Sequence, residues 1–230
     1  GDSIRSSRPI ADEIFKSRFW ITVELAVYST ILAVFLGILA GIISAVKKSS
    51  PADIGVMFIA LFGLSMPNFW LGLMLIQYFA VDLGWFRPSG WGTWSQTVLP
   101  VITLGTGGAA IIARMTRSSM LEVIGQDYIR TAQAKGVRER VIIYRHALKN
   151  AMIPVITVIG LEFGGLLGGA VLTESVFAVN GMGRYVIDSI RARDFPVVQA
   201  TVLVLSIMFV LVNLLVDISY RYFNKRIDFD

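Results

Sequence analysis

"FWITVELAVYSTILAVFLGILAGIISAV", the stretch from Phe19 to Val46, carries a single charged side chain, that of Glu24. A helix that crosses the hydrocarbon core of a bilayer needs about 20 consecutive, mostly apolar residues, and this run is longer. Apolar residues gathered in one uninterrupted block are typical of a lipid environment rather than of a water-facing fold. The stretch therefore predicts a transmembrane helix.

Four further apolar blocks lie along the chain: Ile54–Val81, Val98–Ala113, Ala151–Thr173 and Phe195–Val216. The second of these four is short for a bilayer, so we expect its helix to extend past Arg114. Charged residues make up 16% of the 230 residues, against about 25% in soluble domains. We therefore predict an all-α membrane protein, a bundle of five transmembrane helices.

The prolines support this division and mark one irregularity. Pro67, in the sequence "SMPNFW", lies in the middle of the second span and should kink that helix. Elsewhere a proline at the start of a span does little harm, because the first N–H groups of a helix have no partner within it. The prolines at or just before the start of a span are Pro51, Pro100, Pro154 and Pro196.

Basic residues indicate how the spans are oriented. The segments between successive spans lie alternately on the two sides of the membrane, and those on one side contain more Lys and Arg. The side with more basic residues is usually the cytoplasm. The aromatic sequence "LGWFRPSGWGTW" (Leu83–Trp94) suits an external interfacial loop. We therefore expect the first residue outside and the C-terminus inside. The basic residues on the cytoplasmic side would be Lys47, Lys48, Arg114, Arg117, Arg130, Lys135, Arg138, Arg140, Arg145, Lys149, Arg221, Lys225 and Arg226.

Several kinds of chemistry lack the residues they require. The chain has no cysteine and one histidine, His146, so no metal site and no cofactor is expected. It has no G-x-x-x-x-G-K-[ST] sequence and therefore no site of its own for ATP. A membrane enzyme would need paired catalytic groups at membrane depth, where the sequence offers only Glu162. The net charge of +5 lies at the membrane edges, which argues against nucleic acid as a partner.

"DYIRTAQAKGVRERVIIYRHALKNAMIP" (Asp127–Pro154) is the most charged stretch of the chain. Asp127 suits a helix N-cap, and Gly136 suits a C-cap with positive φ. A second amphipathic helix should follow, with one apolar face and with the next span opening at Pro154. On these residues alone, the segment either rests on lipid headgroups or docks a protein. The expected apolar face consists of Val137, Val141, Tyr144 and Leu148.

This stretch resembles the cytoplasmic "EAA" loop of permease subunits in bacterial ATP-binding-cassette (ABC) importers. The resemblance is greatest to the dipeptide, oligopeptide and nickel permease family, including its glutathione-importer type. It is carried by "DYIRTAQAKG" (Asp127–Gly136) and "HALKNAMIP" (His146–Pro154). Outside the loop, it is carried by "ARMTRSSMLEV" (Ala113–Val123), "TESVFAVNGMGRYVIDSI" (Thr173–Ile190), "DFPVVQA" (Asp194–Ala200) and "NLLVDISY" (Asn213–Tyr220).

The resemblance implies a fold and a division of the chain. The fold would be that of a type I ABC importer permease, which has six spans where this sequence shows five. Residues 1–18 resemble the end of the periplasmic segment that follows the family's first helix. Residues 19–230 would form the transmembrane permease domain, with a cytoplasmic coupling loop at residues 119–150.

The resemblance also implies a function and a set of partners. The chain would form half of a pore for peptides or similar small solutes in the bacterial inner membrane. Its partners would be membrane lipid, a second homologous permease, cytoplasmic ATPases that hydrolyse the ATP, and a periplasmic substrate-binding protein. The alternative is a secondary transporter or another membrane protein whose loop binds only lipid headgroups. The ATPase-coupling residues would be Asp127, Arg130, Thr131, Ala132, Ala134, Lys135, Gly136, Arg138 and His146.

A carboxylate lies within the fourth predicted span. Such a group is energetically expensive in a bilayer and usually faces a cavity or a partner. The family commonly has Gln where this chain has Glu162, so we hypothesise that Glu162 lines the translocation path and favours substrates with a positive group. The alternative is a Glu that is protonated or hydrogen-bonded to a neighbouring helix. Small residues permit close helix approach, and we assign pore or partner-permease packing to Glu162, Gly164, Gly165, Gly168 and Pro67.

Overall fold

The computed structural model of the protein describes residues 1–223, which are predominantly helical. Residues 224–230 lie outside the described part. They include the predicted cytoplasmic C-terminus and the basic residues Lys225 and Arg226. The α-helices are α1 (Ile10–Glu13), α2 (Phe19–Val46), α3 (Pro51–Ser65), α4 (Asn68–Leu75), α5 (Trp94–Ile124), α6 (Asp127–Ala134), α7 (Glu139–Val141), α8 (Leu148–Val176), α9 (Met182–Arg191) and α10 (Phe195–Phe223), with π-helical stretches at Ile14–Arg18, Ile76–Asp82 and Ile142–Ala147.

Four continuous helical stretches are long and apolar enough to cross a membrane: Ile10–Val46, Trp94–Ile124, Glu139–Gly168 and Phe195–Ser219. Each contains or largely overlaps one predicted span, so four of the five predicted spans are confirmed as helices. α2 has the predicted ends, Phe19 and Val46. The other spans differ at one or both ends, most of all α5, which continues well beyond Ala113 and past Arg114 as expected.

The second predicted span is not one kinked helix. α3 and the helical stretch Asn68–Asp82 are bent by 100° relative to each other, which makes them a broken span or a re-entrant pair. Met66 and Pro67 have extended backbones at the break, with ψ angles of 129° and 131°. Because a proline lacks an N–H and disfavours helical geometry at the residue before it, the helix ends here instead of bending.

Two prolines that were expected to open spans lie inside helices. Pro100 is within α5 and Pro154 is within α8. The prediction was wrong because polar residues already form the first turns of both helices. In the second case, α7, the π-helical stretch Ile142–Ala147 and α8 follow one another without a break, so the basic segment continues directly into the span.

The apolar face expected for that basic segment is only partly correct. Val141 and Tyr144 are exposed, at 37% and 59%, whereas Ile142 and Ala147 are buried. A π-helical turn accommodates an extra residue and so rotates the face that follows it. Periodicity counted at α-helical spacing therefore misplaced the buried side by one position.

α5 lies at the centre of the bundle and packs most closely on α2. A Cβ added at Gly37 would lie 2.8 Å from the carbonyl oxygen of Ala109, and one added at Gly41 would lie 2.7 Å from that of Ala113. The two glycines, one helical turn apart, let the backbones approach closer than any side chain would allow. This contact fixes α5 as the element on which the other spans pack.

Candidate coupling surface and translocation face

α6 is a separate short helix at the end of the bundle where α2 and α5 finish. It begins at Asp127, which is preceded by Gln126 in an extended conformation. The prediction that Asp127 caps this helix was wrong, because its side chain makes no capping hydrogen bond and lies within the first turn. There its charge still suits the positive end of the helix, and it lies 3.8 Å from Arg130 as an exposed ion pair.

The C-terminus of α6 has the geometry predicted for a glycine stop. Gly136 has φ +74°. Its N–H donates to the carbonyl of Gln133 at 2.9 Å, and the N–H of Val137 donates to that of Ala132 at 3.2 Å. This pair of bonds defines a Schellman motif. A residue with a side chain would be strained at this φ, so the motif explains why the turn uses Gly136.

One apolar residue seats α6 on the bundle. The Ile129 side chain is fully buried in a cluster that joins the ends of α2 and α5 to the start of α8. Ala132, half-buried one turn later, packs against the same cluster. The other buried members of this seat are Ala45, Met120, Val123, Ile142, Ala147 and Ala151.

A hydrogen bond between two side chains also ties α6 to α8. The Asn150 amide donates to the Tyr128 hydroxyl at 2.7 Å. Sequence reasoning missed this pair and also missed Ile129. The signal for Ile129 was present, since it is the only aliphatic residue larger than alanine in α6 and lies three positions before Ala132.

Most of the predicted coupling residues are exposed, in α6, in the turn after it and at His146. Ala132 is the exception, because it packs partly inward. We call the exposed set the α6 surface. It carries the basic side chains Arg130, Lys135 and Arg138 within a few residues of one another in sequence. The members of the α6 surface are Asp127, Arg130, Thr131, Ala134, Lys135, Gly136, Arg138 and His146.

A buried ion pair tightens the same end of the bundle. Arg117 of α5 donates two hydrogen bonds to the Asp53 carboxylate of α3, both at 2.8 Å. The carboxylate also accepts from the Ser44 hydroxyl of α2 and from the Ser49 N–H. This carboxylate therefore joins three helices. No local pattern indicates the pairing, because Arg117 lies far from Asp53 along the chain.

The second candidate region is an open face of α5 and α8. Glu162 lies there half-buried, in a cavity of about 400 Å³ that it shares with Met66, Asn68, Gly107 and Gly165. The break between α3 and α4 borders this cavity, so Pro67 lies next to two of its lining residues. A helical break therefore opens beside the carboxylate that the sequence placed at mid-span.

The predicted glycine set divides between two environments. Gly164 is buried, and a Cβ added there would lie 3.2 Å from the Asn213 side chain of α10. Gly165 and Gly168 are exposed and have open space where a Cβ would be. Gly164 thus contributes to packing within the chain, whereas Gly165 and Gly168 leave the face beside Glu162 uncovered.

A buried carboxylate holds the opposite end of the bundle. Glu174 is fully buried, near the end of α8 and beyond the apolar stretch Glu139–Gly168. It accepts hydrogen bonds from the Thr22 hydroxyl at 2.6 Å and from the Arg184 N–H at 3.0 Å. The Thr22 oxygen in turn accepts from the Met182 N–H at 2.9 Å. Thr22 and Glu174 together satisfy the first N–H groups of α9.

The same end is closed by two further contacts. The Asp194 carboxylate accepts a hydrogen bond from the Ser3 hydroxyl at 2.5 Å and tethers the N-terminal segment. The Trp91 indole donates to Glu24 at 3.0 Å, so the aromatic loop folds back onto α2. Among the residues 1–223, no three His, Cys, Asp or Glu side chains are grouped as a metal site requires.

The sequence matches the family described as "Binding-protein-dependent transport system inner membrane component" over residues 37–229. It is 46% identical to the dipeptide transport system permease protein DppB of Alkalihalophilus pseudofirmus, over 100% of this chain and 77% of that protein. It is 48% identical to the glutathione transport system permease protein GsiC of Escherichia coli (strain K12), over 99% of this chain and 74% of that protein.

Two solved structures share the fold. An inward-facing form of the MetNI methionine ABC transporter matches with a TM-score of 0.79 at 20% identity, over 91% of this chain and 96% of that one. An amino acid ABC transporter solved with histidines matches with a TM-score of 0.72 at 16% identity, over 90% and 93% of the two chains. The chain therefore belongs to the family of binding-protein-dependent transport system inner membrane components, and it is a multi-pass permease subunit of an ABC importer with the type I permease fold.

Proposed function

We propose that this chain forms half of a peptide-translocating pore and couples to a cytoplasmic ATPase through the α6 surface. One observation carries the coupling proposal. α6 presents its polar residues outward while Ile129 holds it on a cluster made by α2, α5 and the helix that leads into α8. A force applied to such a helix reaches three spans at once.

The chemistry of the α6 surface suits a protein partner. Exposed Arg130, Lys135 and Arg138 can pair with carboxylates, while Ala134 and Gly136 leave room for a partner to approach closely. ATP hydrolysis would belong to that partner, since this chain has no phosphate-binding loop. The α6 end would be cytoplasmic and the Glu174 end periplasmic, in agreement with the basic residues Lys47, Lys48 and Lys149 near the α6 end.

The pore would form at the open face of α5 and α8. Gly107, Gly165 and Gly168 have open space beside them, and Glu162 lies on the same face. A second homologous permease would cover this face and complete the pathway between the two subunits. A periplasmic binding protein would deliver substrate to the Glu174 end, and the relatives named for dipeptide and glutathione transport favour peptides as the substrate class.

A single-cysteine crosslink tests the coupling proposal, because the chain has no native cysteine. Arg138→Cys carries a short photo-crosslinker in native membranes, and Ser89→Cys, exposed in the loop at the opposite end, is the matched control. We expect Arg138→Cys to capture an ABC ATPase, identified by mass spectrometry, and Ser89→Cys to capture none.

The second arm of the same experiment adds Gly136→Val, which strains the α6 turn at φ +74°. We expect this change to reduce ATPase capture, whereas Gly125→Val, at a glycine with φ −73°, should leave it in place. Capture of lipid alone by Arg138→Cys would replace coupling with the headgroup-binding alternative.

A further inference from the structure

We propose that Glu162 is the anionic element of a substrate subsite at mid-membrane, which takes the cationic group of a peptide. The proposal rests on the peptide pore proposed above and deepens it by assigning a charge preference to one side chain. The ligand group would be an ammonium, either the amino terminus of a peptide or a basic side chain.

The Glu162 carboxylate is not used by the fold. Within residues 1–223 the Glu162 carboxylate forms no ion pair, and no side chain or backbone group hydrogen-bonds to it. By contrast, Asp53 and Glu174 are satisfied by two or more donors each. A carboxylate in an apolar span without a partner is expensive to retain, and such residues usually mark a substrate or ion pathway.

The cavity beside Glu162 can admit a ligand. Its volume of about 400 Å³ falls in the range of small-molecule sites. Among residues 1–223, no basic side chain lines it, and the other polar side chain in its lining is that of Asn68. A ligand ammonium would therefore find one negative charge and one amide oxygen, while the remaining lining offers glycines and apolar side chains.

Glu162 lies beside α5 on a face that the described residues leave partly uncovered. A Cβ added at Gly108 of α5 would lie 3.6 Å from the Glu162 Oε2 atom. A Cβ added at Gly165, three residues after Glu162, would point into open space. The helix break at Pro67 borders the same cavity. Non-helical backbone at membrane depth is tolerated where it lines a cavity. The helix break and the unpartnered carboxylate therefore both fit a substrate subsite in this cavity.

The experiment varies the charge at residue 162 in the complete transporter, reconstituted in proteoliposomes with its ATPase and binding protein. The measured quantity is the ratio of lysyl-alanine uptake to aspartyl-alanine uptake. Selection by the binding protein is common to every variant and cancels when the ratios are compared. We expect Glu162→Gln to lower the ratio on the order of tenfold, from the loss of one close charge interaction in a low-dielectric site.

A cysteine at residue 162 makes the test independent of folding. Glu162→Cys, treated with a sulfonate-bearing methanethiosulfonate, should regain the preference for lysyl-alanine, and the same protein treated with an ammonium-bearing reagent should prefer aspartyl-alanine. Glu24→Gln removes an exposed carboxylate outside the cavity and should leave the ratio unchanged. Glu162→Gln treated with each reagent controls for reaction elsewhere in the complex.

The outcomes separate this proposal from the one on which it rests. If the unaltered transporter takes up neither peptide, the peptide pore itself is wrong and the subsite falls with it. If uptake is normal and the ratio does not depend on the charge at residue 162, only the subsite is overturned. Suppose instead that Glu162→Cys reduces the uptake of both peptides equally and that the sulfonate reagent restores both equally. Glu162 would then pair with the second permease, and the subsite would also be overturned.

Discussion

The helix α6 and the opposite end of the bundle are held mainly by different kinds of contact, with the buried ion pair of Asp53 and Arg117 as a polar contact beside α6. At the α6 end, a surface helix is seated by one aliphatic side chain, Ile129, and its polar residues are exposed. At the opposite end, Glu174 and Asp194 are buried acceptors for backbone N–H groups and hydroxyls. Apolar contacts are non-directional and tolerate small shifts, whereas hydrogen bonds require a defined geometry. The difference suits one end that moves against a partner and one end that keeps a fixed shape.

Among the changes predicted here, substitution of Glu174 should lower the free energy of unfolding the most. We expect Glu174→Ala to lower the free energy of unfolding by about 2–4 kcal/mol, because it leaves the Thr22 hydroxyl and the Arg184 N–H unsatisfied in a buried site. Thermal unfolding of the detergent-solubilised complex measures the change. Glu174→Gln keeps an acceptor oxygen and should lose about half as much. If the Ala and Gln variants are equally stable, the hydrogen bonds at this end contribute nothing beyond packing.

Ile129 is the corresponding position at the apolar end. We expect Ile129→Ala to destabilise the seating of α6 by about 2–4 kcal/mol, from lost burial and the cavity left behind. Hydrogen exchange of the α6 amides should rise, and substrate-stimulated ATP hydrolysis by the assembled transporter should fall, while the spans stay folded.

Tyr144→Ala is the matched control for Ile129→Ala, since Tyr144 belongs to the same basic segment but is 59% exposed. Its effect on both measurements should be small, as is usual for surface substitutions. If the two variants behaved alike, Ile129 would not be the seat of α6, and the apolar end would need another explanation.

The spans and the helix stop at Gly136 could be predicted from the sequence, whereas the contacts of Glu174 could not. Runs such as Phe19–Val46 predict spans because a bilayer admits almost no other structure, and Gly136 predicts a stop because its conformation is local. Glu174, by contrast, is positioned by Thr22, a residue 152 positions away. Nothing local in either segment indicates that pairing. The buried ion pair of Asp53 and Arg117 was missed for the same reason.

The misplaced features have local causes that a periodicity count ignores. The π-helical stretch Ile142–Ala147 rotated the buried face away from Tyr144. Pro67 ended a helix that was expected only to bend, and the resulting break borders the cavity that contains Glu162. Glu162 itself could be singled out from the sequence, because an isolated charge in an apolar run is visible without knowledge of its neighbours.

Asp194 offers the smallest and most local test of the polar end. Hydrogen bonds from the Ser3 hydroxyl and from the Arg5 and Ile4 N–H groups hold the pKa of the Asp194 carboxyl below its ordinary value. A carboxyl with a lowered folded-state pKa contributes stability above its unfolded pKa of about 3.9, and that contribution is lost as the pH falls through the folded value. We therefore expect the N-terminal segment to stay bound at neutral pH and to detach only below about pH 4.

Hydrogen exchange of residues 3–8, measured as a function of pH and corrected for the intrinsic exchange rate, follows this detachment. Asp194→Asn loses the charge but keeps an acceptor, so its protection should be weaker at pH 7 and should no longer depend on acid. Asp12→Asn is the matched control, because its exposed carboxylate pairs with the neighbouring Lys16 and lies outside the Asp194 site. Suppose instead that the segment stays protected in acid, both in the unaltered protein and in the Asp194→Asn variant. The N-terminal segment would then be held by the buried side chains of Ile10 and Ile14 rather than by the Asp194 carboxylate, and the contrast between the two ends would apply to Glu174 alone.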